Sequence, residues 1–138
     1  MSVMHRVAQR PGGHDPDFIF WCPGCRFGHG VWITTTCEKT GARWTWNGSM
    51  EKPTFGPSIL VTGTNFTEAG LADYDAWMKA GAPDRQGKVF DSVDWRCHSH
   101  VINGQIHYCG DSTHKLAGQI VDMPDVDALC VEPQAGSN

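Results

Sequence analysis

The sequence predicts one α+β domain, mainly antiparallel β with one short helix, stabilised by a zinc knuckle. Three observations predict it. Apolar residues fall in short runs rich in β-branched and aromatic side chains, too short for helices. One segment alone, about 67–80, carries helical spacing. Two close pairs, Cys22-Pro23-Gly24-Cys25 and Cys97-His98-Ser99-His100, have the spacing of metal knuckles. The chain's 138 residues suit a single domain, and 40% hydrophobic residues suffice for a core.

Taken in order, residues 1–16 read as a flexible arm, broken by Pro11-Gly12-Gly13 and Asp15-Pro16. Phe18 to Trp21 is a strand that feeds into the Cys22 knuckle, and Val31 to Thr36 is a second β-branched run. Arg43 to Trp46 alternates and ends in the turn Asn47-Gly48. A proline-bearing loop over 51–57 precedes a strand from Ser58 to Thr62. Leu71, Tyr74, Trp77 and Met78 then share one helical face, with Thr67 as N-cap and Gly81 and Pro83 as stops.

Strand character returns over Val89 to Cys97. Asn103-Gly104 suits a two-residue type I′ turn, joining Val101-Ile102 to Gln105-Ile106. Asp111 to Ala117 reads as a short helical turn between Asp111 and Gly118. Gln119 to Asp122 is a last strand. The domain therefore spans 17–124, and 125–138 is a tail without periodicity.

Cys22 and Cys25 can both reach one tetrahedral Zn²⁺ around a Pro-Gly turn. Cys97 and His100 supply the matching half, giving a Cys₃His set with no open position, hence a structural zinc. Hairpin geometry offers a rival set. If Asn103-Gly104 is the turn, His98, His100, His107 and Cys109 share one face. In a regular strand Cys97 and His100 point to opposite faces, so the first set needs a knuckle or bulge at 97–100. A redox role for the Cys22/Cys25 pair lacks the βαβ context it would need. Cys37 and Cys130 stand alone and read as buried small hydrophobes, and His5 and His14 as solvated.

Catalytic candidates are Ser58, His98, Asp111 and His114. A serine, an imidazole base and a carboxylate that orients it are the parts of acyl transfer, if the fold brings them together. The plainer alternative is that Ser58 opens a strand and Asp111 caps a turn. Trp21, Trp32, Trp44 and Trp46 lie in expected strands. Core packing accounts for most of them, although an exposed Trp44/Trp46 pair would mark a binding surface.

With Lys+Arg 11 against Asp+Glu 15 the net charge is −4, which disfavours phosphate-backbone binding and a His-hairpin nuclease. No apolar run approaches the roughly 20 residues of a membrane helix, and Met1 to Gly13 lacks the apolar segment of a signal peptide. The expectation is a cytoplasmic protein with reduced cysteines.

Four motifs in order, Phe20-Trp21-Cys22-Pro23-Gly24-Cys25, Pro53-Thr54-Phe55-Gly56-Pro57-Ser58-Ile59, Cys97-His98-Ser99-His100-Val101-Ile102-Asn103-Gly104 and the segment 111–122, resemble the small phage and prophage proteins grouped as DUF6527, some labelled "ammonia monooxygenase". The resemblance spans most of 18–124. It implies a mobile-element origin and, if phage-encoded, the host cytoplasm. Shorter relatives with a similar knuckle, Pro-Ser element and Cys-x-Ser-His element sit near bacterial ubiquitin-like genes and are suspected peptidases. This chain departs from them in its Cys-Pro-Gly-Cys knuckle, in Val101 where they have Phe, and in the insertion bearing the helix. Nothing in these residues supports an oxygenase.

Two functions follow as expectations. One is a zinc-stabilised phage-type protein that binds a protein partner, not nucleic acid or membrane. The other is a hydrolase or peptidase acting on a ubiquitin-like or phage protein, through a His/Ser/Asp set or an open metal position.

Overall fold

The computed structural model describes residues 2–126. Its strands form three antiparallel sheets. β1 (Met4–Arg6), β2 (Phe18–Cys22) and β3 (Phe27–Val31) make the first, with β2 in the middle. β4 (Thr45–Trp46) pairs with β5 (Phe55–Gly56). β6 (Ile59–Phe66), β7 (Ser92–Ile102), β8 (Gln105–Tyr108) and β9 (Ile120–Asp122) make the third, in sequential order. Helix α1 (Glu68–Lys79) lies between β6 and β7, capped by the Thr67 hydroxyl, which accepts from Gly70 N. The mainly β fold with one short helix is as the sequence predicts.

The core follows from alternation. Phe18, Phe20 and Cys22 face inward from β2, and Cys97, Ser99 and Val101 face inward from β7. All but the polar Ser99 pack with Val31, Ile59, Ile106 and Tyr108 into one buried hydrophobic cluster. Trp44 is buried in it, with an edge on a neighbouring cavity, and Trp46 packs on Phe18, so core packing accounts for this pair. Tyr74 and Trp77 of α1 instead join Phe66 and Phe90 in a separate aromatic group.

Several expected boundaries move. Residues 4–6, expected in a flexible arm, form β1, because Met4 reaches the core opposite Phe20. The second strand is Phe27–Val31 rather than 31–36, because the 23–26 turn folds it straight back onto β2 with Cys22 opposite Phe27. Residues 111–117 form turns and no helix. The hairpin at 103–104 has the expected register, Ile102 opposite Gln105 and His100 opposite His107, with φ of 50° at Asn103 and 78° at Gly104. Cys37 is half-buried, and Cys130, with most of the expected tail, lies outside the described residues.

Asp17 ties the start of β2 to the loop after β3. Its carboxylate accepts from Ile33 N at 2.6 Å, Thr34 N at 2.9 Å and the Thr34 hydroxyl at 2.8 Å. Burial opposes its charge, but these hydrogen bonds prevail and hold its pKa below the ordinary carboxylate range. A depressed native pKa adds stability that is present above the unfolded value and lost as pH falls through the native one. Asp17→Asn is expected to lower Tm by about 5 °C at neutral pH. Thermal melts from neutral to acid pH should show that gap closing as the wild-type carboxylate protonates.

Candidate active site and metal centre

β7 runs as an unbroken strand through 97–100, so alternation sends Cys97 inward and His98 and His100 outward. β6 pairs with it so that Ile59 faces Ser99 and Leu60 faces His98. Ser58, one residue before Ile59, therefore lies diagonally from His98 on the outward face. The Ser58 hydroxyl stands 3.0 Å from His98 Nε2. On the other side of the ring, Nδ1 lies 3.2 Å and 3.3 Å from the two carboxylate oxygens of Asp111. The three side chains line up in the order of a serine–imidazole–carboxylate relay; with the ring proton on Nδ1, Ser58 Oγ–H donates to Nε2 and Nδ1–H donates to Asp111.

Each member is fixed by its surroundings. Trp44 Nε1–H donates to the Ser58 carbonyl at 3.1 Å, which anchors the Ser58 backbone to the core. Asp111 sits on a loop that grips β7 through hydroxyl groups. Ser112, buried, accepts from His98 N and donates to the His98 carbonyl, both at 3.0 Å. Thr113 holds Arg96 N and the Arg96 carbonyl in the same way, at 3.0 Å and 3.1 Å. The Arg96 guanidinium flanks Asp111 at 3.7 Å. Ser112 pins the Asp111 loop to β7. Ser112→Ala is expected to lower kcat about 10²-fold with KM little changed, because the loop would shift Asp111 against His98; steady-state kinetics separate the two constants.

On the inward face, Cys22, Cys25, His29 and Cys97 bring their ligand atoms within 4.8 Å of one another. The fourth member is His29, not His100. His100 is exposed on the opposite face of β7 from Cys97, because no bulge forms at 97–100. His29 lies opposite Phe20 in the β2–β3 register and points inward beside Cys22. Both of its ring nitrogens are buried with no partner at good hydrogen-bond geometry, although the ring lies close enough to Cys22 to help lower that thiol's pKa. That is costly unless something binds there.

The thiols are arranged for shared deprotonation. Cys22 Sγ lies 3.9 Å from Cys97 Sγ and 3.1 Å from the Tyr108 hydroxyl. The hydrogen bond from Cys97 pulls the Cys22 pKa far down and pushes that of Cys97 up, while burial raises Cys25. Cys22 is the one thiolate that the cluster supports without a cation. A divalent metal would let all three ionise.

His114, a catalytic candidate by sequence, lies beside the Cys22/Cys25/His29/Cys97 cluster rather than beside Ser58 and His98. Leu116 N donates to its Nδ1 at 3.2 Å, so its proton is on Nε2, 3.4 Å from Cys97 Sγ. From there it donates to the Cys97 sulfur, a contact that would favour the Cys97 thiolate once a metal binds. A Cβ at Gly24 would run into its ring, so the glycine of the knuckle is what lets it approach. The hairpin-face quartet does not assemble as a unit. His98 and Cys109 gather with Asp111, whereas His100 and His107 are outside that group.

The sequence from residue 3 to 109 matches the family described as bacterial ubiquitination-like system serine protease, BubE. The chain belongs to the BubE family. Ser58 and His98 fall inside the match, and Asp111 follows just past its end. That description names a serine protease, and neither phage nor oxygenase enters it. No curated protein and no solved structure matches the chain. Among the described residues, no helix is long and apolar enough to cross a membrane.

Proposed function

We propose that this chain is a serine peptidase that cleaves a protein partner in a ubiquitination-like system, with Ser58 as nucleophile, His98 as general base and Asp111 as the group that orients it. The observation that carries this is the unbroken contact from Ser58 Oγ through both ring nitrogens of His98 to Asp111. Ser58 would attack the scissile carbonyl as Nε2 takes its proton. The same proton would pass to the leaving amine, freeing one product and leaving an acyl-enzyme. Water, deprotonated by His98, would release the second product and restore Ser58.

Zn²⁺ is the metal we assign to Cys22, Cys25, Cys97 and His29. Three thiolates and one imidazole suit tetrahedral zinc, and four protein ligands leave no place for a reacting water. When bound, it would tie the β2–β3 turn to β7, the strand that carries His98. Zinc would then support the relay without entering the reaction. The partner-binding role expected from sequence becomes substrate binding.

Asp111→Asn tests the assignment. It keeps the shape but leaves Nδ1–H facing an amide that can present its own N–H, which favours the wrong tautomer. Hydrolysis is expected to fall by about 10⁴-fold with zinc content unchanged. Near-wild-type turnover would remove Asp111 from the relay.

A further inference from the structure

The geometry points to an extended peptide segment as the substrate, bound as an added strand along the free edge of β6 with its scissile bond at Ser58. This rests on the serine peptidase reading and says what form of chain that site accepts. A cavity of about 490 Å³ begins at Ser58 and runs between β6 and β3. Its wall includes every residue from 58 to 62 on one side and from 28 to 30 on the other. Side chains alternate across a strand, so a groove over one sheet face would be lined by every second residue. Consecutive lining means that this groove follows the strand edges.

Both strands end their sheets. Sheet order leaves β3 outermost in the first sheet and β6 outermost in the third, with no other strand paired to those edges among the described residues. A free edge presents backbone N–H and C=O groups to any chain that can lie extended beside it. Trp32 and Trp44, stacked with centroids 6.3 Å apart, and the exposed Leu60 add apolar wall. Leu60 also faces His98, so the edge and the relay are continuous. At about 3.4 Å per residue, positions 58–62 offer purchase for about five residues of substrate. The substrate is then an unfolded terminus or linker with apolar side chains, rather than a helix or a folded surface.

The test uses the full zinc-loaded chain and two probes, a peptide library from a proteome digest and an alkyl fluorophosphonate that reports on the serine alone. Cleavage of library peptides at extended apolar stretches is expected. In the best-cleaved peptide, N-methylation of one backbone amide at a time should slow cleavage about tenfold at alternate residues, the loss of one hydrogen bond each. Ala42→Trp, which fills the groove, should lower the ratio of peptide cleavage to fluorophosphonate labelling about tenfold or more. N-methylation tolerated throughout, or an unchanged ratio in Ala42→Trp, overturns strand addition. Labelling of Ser58 without cleavage of any library peptide overturns it too and leaves the serine assignment standing. Neither labelling nor cleavage overturns the peptidase reading along with it.

Discussion

Ser58→Ala and His98→Ala are each expected to lower turnover by about 10⁴- to 10⁶-fold, and the double variant by little more than either alone. Residues that act as one relay are not additive, because either loss already removes the activated nucleophile. The Ser58 side chain makes one hydrogen bond, to His98 Nε2, so loss of its hydroxyl is expected to cost the fold little. The melting curve of Ser58→Ala should overlay that of the wild type. Independent, multiplicative losses would show that serine and imidazole do not act together.

Loss of the metal centre is the second large effect, and it falls on stability. Binding of structural zinc is of order 10–16 kcal/mol in small zinc domains, comparable to the whole stability of a domain. Cys25→Ser or His29→Ala, or chelation of the wild type under denaturing stress, is expected to yield unfolded or insoluble protein without zinc. His100→Ala is expected to retain one zinc per chain and a normal melting curve, since His100 is exposed and away from the thiols. Elemental analysis of purified variants decides between the two histidines. Soluble, metal-free Cys25→Ser with unchanged melting would contradict a structural role.

The two faces of β7 explain how much was legible beforehand. Local signals read well. Asn103-Gly104 places the hairpin, Thr67 and the 71/74/77/78 spacing place α1, and Cys22-x-x-Cys25 marks the cluster that could hold a metal. What misled was reading Cys97-x-x-His100 as a second knuckle, by analogy with Cys22-x-x-Cys25. In a strand that spacing divides the pair between core and surface. The missing ligand was accessible by the same hairpin logic used at 103–104. A turn over 23–26 sets Phe27 against Cys22 and His29 against Phe20, on the inward face.

The relay was harder to see because it depends on long-range pairing. Ser58, His98 and Asp111 were each candidates, but the β6–β7 register that joins the first two bridges the α1 insertion, and no local pattern specifies it. The Asp111 loop was expected to form a helical turn. Its course is set instead by the Ser112 and Thr113 hydroxyls, which bind the β7 backbone where a strand partner would. The edge groove was invisible for the same reason, since it exists only once two separate sheets place their outer strands side by side.

Covalent labelling of the zinc-loaded wild type with a fluorophosphonate, mapped by peptide mass spectrometry, tests the Ser58 assignment directly. One adduct per chain is expected, on Ser58, lost in His98→Ala while zinc is retained. An adduct on another residue, or undiminished labelling of Ser58 in His98→Ala, would contradict it.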